Sequence, residues 1–135
     1  METVRLSKHI AADPDVVWAR IADFHNVHTW FPATKSCEPA PGLVDTRRVT
    51  TETGAVALEE LVESSMSTRT QRWRILGDNG PIRNYEAAFV VRAEPAGGAV
   101  VEYTAGFTAP DGVRPFVEAT FQAALDNLAS LLADG

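Results

Sequence analysis

Residues 82–132 read IRNYEAAFVVRAEPAGGAVVEYTAGFTAPDGVRPFVEATFQAALDNLASLL, and within them the apolar period changes from two to about 3.6. Side chains alternate across an extended chain. Over 82–94 that places Arg83, Tyr85, Ala87, Phe89 and Val91 on one face and Asn84, Glu86, Ala88 and Arg92 on the other. The first set predicts the inner face. Val101, Tyr103, Ala105 and Phe107 repeat the pattern over 99–108 against Glu102 and Thr104, and Ala96-Gly97-Gly98 supplies the turn of an antiparallel hairpin. After Pro110-Asp111-Gly112, Val117, Phe121, Leu125, Leu128 and Leu132 keep helical spacing, which predicts a helix of ~20 residues and ~30 Å.

Upstream, residues 2–11 alternate as a strand. Asp13-Pro14 offers an N-cap carboxylate and a proline at the first helical position, and Val17, Trp18, Ile21 and Phe24 continue a short helix over 14–23. Residues 25–32 mix polar side chains with Val27, Trp30 and Phe31 and predict a second brief helix that ends before Pro32. Further strands are predicted near 36–39, 44–53, 56–64 and 68–76, the last with Arg69, Gln71, Trp73 and Ile75 inward. The Gly77-Asp78-Asn79-Gly80 turn joins it to the next strand. In 56–64, alternation of Val56, Leu58 and Val62 would carry Glu60 inside and leave Glu59 in solvent, so periodicity alone does not fix the register. Consecutive strands between helices predict an α+β fold. The sheet is antiparallel, curved and seven-stranded, gripping one long C-terminal helix in a single domain over 1–135.

With 45% apolar residues in 135, one domain can bury roughly two thirds of its unfolded surface. The longest apolar run, 87–91, is far short of the ~20 residues of a membrane span, and the N-terminus alternates instead of forming an apolar leader. These features predict a soluble cytoplasmic protein with no membrane insertion. Twelve Lys/Arg against eighteen Asp/Glu give −6, a field that repels phosphate backbones, so no nucleic acid is expected as partner. The lone Cys37 cannot form an internal disulfide, which suits a reducing compartment. No phosphate-binding glycine loop, nucleophile elbow or cofactor fingerprint occurs, and no cofactor is expected.

One helix cannot fill a strongly curved sheet, and the small residues Ala87, Ala105, Thr120 and Ala124 add room. An empty apolar void of ~300 Å³ would cost on the order of 7 kcal/mol, about the whole stability of a domain. A ligand or ordered water is the expected occupant.

Seven groups of residues together resemble the START-like helix-grip superfamily. They are Val17-Trp18, Phe24 with Trp30, Lys35-Ser36-Cys37, Glu59-Glu60-Leu61, Trp73-Arg74-Ile75, Asn84-Tyr85 and Pro110-Asp111-Gly112. Within it the chain is similar to bacterial polyketide cyclase/dehydrase-like proteins, with plant abscisic acid receptors as distant relatives. The resemblance implies a curved sheet gripping a C-terminal helix around a cavity for sterols, lipids, hormones or polyketides. It also implies that Val49, Thr51, Glu59, Leu61, Trp73 and Ile75 face this cavity, as do Ile82, Tyr85, Ala87, Tyr103, Phe116, Thr120 and Ala124; Trp30 and Phe31 are further candidate ligand contacts. This favours Glu59 over Glu60 inside, which a β-bulge would reconcile with the alternation. The receptor gate Ser-Gly-Leu-Pro-Ala is here Thr53-Gly54-Ala55-Val56-Ala57, and the His-Arg latch is Gly80-Pro81. Hormone signalling is therefore not implied. Phe31 stands where the receptors place a lysine, which removes an anchor for acidic ligands and an ion partner for Glu59.

Glu59, if buried without a cation, would have its pKa raised and could act as general acid or base; Arg69 could instead pair with it. Tyr85 and Tyr103 could orient a ligand carbonyl or fill the core. Candidate catalytic residues are thus Glu59, Tyr85 and Arg69. His25 and His28 have metal-like spacing without a third ligand, so no metal is expected, though His28 could touch a ligand at a cavity mouth. Cys37 reads as a small buried hydrophobe. Arg47 and Arg48, with Arg72 and Arg74, read as a solvated sheet face. Three functions stay open: a carrier or binder of a small hydrophobic molecule, a polyketide cyclase using cavity acid/base groups, and a filled-core interaction module. Monomer and homodimer are both compatible with the sequence.

Overall fold

The computed structural model describes residues 1–133. Nine-residue strand β1 (Glu2–Ile10) leads into helix α1 (Pro14–Ala22), whose N-cap Asp13 accepts a hydrogen bond from the Asp15 amide at 2.8 Å. That satisfies one of the orphan donors of the first turn, and Pro14 lacks one to satisfy. A 3₁₀ segment (Phe24–Thr29) follows, with Asn26 off helical geometry; it is shorter than the predicted second helix. Then come β2 (Thr34–Pro39), β3 (Thr46–Thr51), β4 (Val56–Ser65), β5 (Thr70–Ile75), β6 (Arg83–Ala93) and β7 (Ala99–Thr108), and the 20-residue helix α2 (Val113–Leu132). The strands form one antiparallel sheet in the order β1-β7-β6-β5-β4-β3-β2. This is the antiparallel α+β arrangement expected from the alternation and the terminal stripe, and the helix-grip architecture that the resemblance implies.

The predicted inner faces of β6 and β7 are buried: Phe89 and Val91 at 2% exposure, Val101, Tyr103 and Phe107 at 0%. Arg83 is the exception. Asn84 takes a positive φ of 55° and the register slips between Arg83 and Glu86, so alternation stops there and Arg83 is exposed. Strand β3 spans less than the predicted 44–53, and β5 begins after Arg69, whose φ of 48° takes it off the strand.

In β4 a register shift lies between Leu61 and Glu63, which leaves Val62 as the extra, unpaired residue. Before it, Glu59 opposes Ile75 and Leu61 opposes Trp73, so these share the concave side. Glu60 and Glu63 lie on the convex side, paired with Arg74 at 2.7 Å and Arg72 at 2.9 Å. Glu59 precedes the bulge and faces inward through its pairing with Arg47 and Ile75; the bulge instead carries Glu63 to the convex side.

Helix α2 buries Leu125 and Leu128 completely and packs against β1. Among the described residues no helix is long and apolar enough to cross a membrane. Leu128→Ala should cost about 2–5 kcal/mol because it opens a hole in this solid end, whereas Glu60→Gln, which breaks a solvated pair, should cost under about 1 kcal/mol. Urea unfolding midpoints of the two variants check this contrast.

Candidate functional site

A cavity of about 600 Å³ lies between the concave sheet and the N-terminal half of α2. It opens to solvent where the β3–β4 loop, the turn before β6 and the start of α2 meet, and exposed Val56 (47%) and Phe116 (63%) form an apolar lip there. Its inner end is closed by rings. Phe89 stands 4.9 Å from Trp73 and 6.2 Å from Phe121 between centroids, and Tyr103 stacks behind Phe121 at 3.9 Å. The aromatic partition separates the hollow end from the solid end that holds Leu125 and Leu128. A dry, sealed void of this size would cost on the order of 14 kcal/mol by cavity scaling, more than a small domain's net stability, so water or a guest must fill it.

The structure distributes the expected ligand residues between wall and core. Phe31, Val49, Thr51, Glu59, Trp73 and Ile75 line the cavity, as do Ile82, Tyr85, Phe116 and Thr120. Trp30, Leu61, Ala87, Tyr103 and Ala124 do not. Trp30 is 2% exposed and packs behind the wall against Phe31 and Phe89, its indole N–H without a partner among the described residues. Tyr103 sits behind Phe121, and Ala124, at 0% exposure, lies on the solid stretch of α2. Ala87 opposes Trp73 on one side and Ala105 on the other, so it leaves room for its neighbours' rings and not for the cavity.

Arg69 is a correction. It lies outside the cavity lining and forms an ion pair with exposed Asp15 at 2.9 Å, because its left-handed backbone turns it off β5. Glu59 has another partner. Arg47 and Glu59 oppose each other across β3 and β4, and Nε and Nη2 of Arg47 meet Oε1 of Glu59 at 2.8 and 2.7 Å. Nη1 donates to the Phe24 carbonyl at 2.6 Å, and the guanidinium carbon lies 3.8 Å from the centroid of the Phe24 ring. The side chains are 4% and 15% exposed, so this is a nearly desolvated pair and not the solvated face expected for Arg47. Loss of the lysine at Phe31 therefore leaves Glu59 paired after all. Strand parity carried the missed signal: Arg47 shares its face with Val49 and Thr51.

The Tyr85 and Tyr103 hydroxyls are hydrogen-bonded to each other. Burial holds the Tyr85 phenol well above its ordinary range, and the neighbouring Tyr103 and the Glu59 charge add to the shift. Burial likewise raises Tyr103. Tyr85 thus stays protonated near neutral pH, with its hydroxyl held in the wall by Tyr103. Cys37 is half-buried, and burial pushes its thiol up despite nearby Arg47, which disfavours a nucleophilic thiolate. His25 and His28 are exposed and outside the cavity lining, and among the described residues no metal-holding cluster of His, Cys, Asp or Glu occurs.

A family model described as polyketide cyclase / dehydrase and lipid transport matches residues 1–133. The fold is similar to the protein XoxI from Bacillus cereus (TM-score 0.91, 21% identity, 99% of this chain and 97% of that one). It is also similar to the Zhui aromatase/cyclase from Streptomyces sp. R1128 (TM-score 0.83, 17% identity, 97% and 93%) and to Ara h 8.0201 (TM-score 0.78, 17% identity, 99% of each). A search of curated proteins found no match.

Two predictions follow from the buried groups. Arg47→Met alone should cost about 3–5 kcal/mol by stranding Glu59, while Arg47→Met/Glu59→Met should be no less stable than that single variant in urea unfolding. The second concerns alkali. Tyr85 and Tyr103 are the chain's two tyrosines, and both are raised above the ordinary value of 10.0. Above that pH the unfolded chain releases phenolic protons that the folded one keeps, so stability falls as pH rises. Absorbance at ~295 nm should show phenolate appearing only together with alkaline unfolding.

Proposed function

Because the chain belongs to the polyketide cyclase / dehydrase and lipid transport family, we propose that its cavity binds a small, largely apolar molecule, with Glu59 and Tyr85 orienting it. The observation that carries this reading is the cavity wall itself. It is apolar and aromatic over most of its lining, with Trp73, Phe89, Phe121 and Ile75 among its surfaces, and it offers few polar groups. Such a site draws its affinity from apolar burial and its selectivity from the few polar atoms. Arg47 and Glu59 answer each other's charge, and Tyr85 holds its proton. The site is therefore better furnished for holding than for acid/base turnover.

A second reading, cyclisation of a reactive poly-β-ketone, is favoured by one specific feature, the presence of the Glu59 carboxylate and the Tyr85 phenol in the same wall. In that reading Glu59 accepts a proton while Tyr85 donates a hydrogen bond to a ketone oxygen. The two readings separate by experiment.

Native mass spectrometry of the protein purified from its source should show a co-purifying compound, and Thr120→Trp, which fills the cavity from α2, should lose it. A purified protein without any guest, with Thr120→Trp indistinguishable from the parent in binding, would contradict the binding reading. Turnover of a poly-β-ketone with a pH profile abolished by Glu59→Gln would establish the second.

A further inference from the structure

We infer that the Arg47–Glu59 pair is a charge filter: Glu59 occupies the anion-binding edge of Arg47, so the cavity admits uncharged guests and rejects acidic ones. This inference rests on the proposed binding function and goes beyond it by fixing the guest's charge. Arg47 is the one cation among the described residues that line the cavity, and Glu59 and Glu52 are the lining carboxylates. Two of the guanidinium nitrogens, Nε and Nη2, are turned onto Oε1 of Glu59 and a third onto the Phe24 carbonyl. A guanidinium edge directed at a carboxylate is the geometry that would otherwise receive the head of an acidic guest. Here it is already filled by the protein's own side chain.

What Glu59 leaves to the cavity is its other oxygen. Oε2 takes no side-chain or backbone hydrogen bond among the described residues, while Glu59 lies in the cavity wall at 15% side-chain exposure. An anionic guest would meet this acceptor with no free cation beside it, at a depth where water screens poorly. A guest hydroxyl could donate to it instead. The N-terminus of α2 borders the mouth through Gly112 and Val113 and carries roughly half a positive charge. It lies at the solvated rim near exposed Phe116 and Glu52, so its pull on an anion inside is the weaker effect.

The test uses two probes with one skeleton, neutral N-phenyl-1-naphthylamine and its 8-sulfonate, titrated by fluorescence into the full chain. Only binding removed by Thr120→Trp is counted. The parent protein should bind the neutral probe at least about tenfold tighter than the sulfonate. Glu59→Gln frees the Arg47 edge and should tighten the sulfonate about tenfold or more, raising its affinity relative to that of the neutral probe in the same variant. Arg47→Met/Glu59→Met removes both charges together and protects the test should the single variant not fold. It should bind the sulfonate more tightly than the parent and less tightly than Glu59→Gln. Sulfonate affinity equal to that of the neutral probe in the parent, or unmoved in the variants, overturns the filter and leaves the binding reading standing. No neutral-probe binding at all overturns both.

Discussion

A helix of 20 residues is about 30 Å long and roughly 10 Å across, and it is the one long element laid against the concave side of a seven-stranded sheet. That mismatch in breadth governs the rest of the molecule. Toward the C-terminal half of α2, large aliphatic side chains pack toward β1 and the interior is solid. Toward the N-terminal half, where Val113, Phe116, Val117 and Thr120 face β3, β4 and β5, the sheet curves away faster than these side chains can follow. The aromatic partition of Trp73, Phe89 and Phe121 marks the boundary. Stability is concentrated on one side of it and capacity for a guest on the other, so mutations on the two sides should have different phenotypes.

Burying a charged pair is costly unless each partner is held by geometry and further hydrogen bonds. Arg47 and Glu59 meet that condition: they face each other in register, share two contacts, and Arg47 is also tied to the Phe24 carbonyl and ring. The pair links β3, β4 and the 3₁₀ segment at the side of the cavity. It turns what would be two isolated charges in an apolar hollow into one neutral unit with a single outward-facing acceptor. Tyr85, kept protonated by burial and backed by Tyr103, completes the polar part of this wall.

Much of this architecture was legible in the residues, and the exceptions have physical causes. Alternation in β6 and β7 located their buried faces, and the Asp13-Pro14 cap and the Val117 to Leu132 stripe located the helices, because those signals are local. Arg69 and Arg83 were misplaced where a positive φ, at Arg69 itself and at Asn84, interrupts the alternation on which their assignment rested. The Glu59 register is set by its cross-strand partners Arg47 and Ile75, which the alternation of Val56, Leu58 and Val62 does not announce. Arg47 shows the sharper limit. Its parity with Val49 and Thr51 pointed inward, yet its charge argued for solvent, and the partner that settles the matter lies across a hairpin whose register is fixed only by folding. Which wall residues reach the cavity, and which stand one ring behind it as Trp30 and Tyr103 do, depends on side-chain packing in three dimensions.

The central claim is that the hollow end of the grip takes an uncharged guest beside the Arg47–Glu59 pair. It is tested most directly by intermolecular nuclear Overhauser effects between bound N-phenyl-1-naphthylamine and the methyl groups of the labelled protein. The account predicts contacts to Ala57, Ile75 and Val117. Contacts confined to the exposed Leu43 and Val44, or none to the cavity methyls at saturating probe, would contradict it.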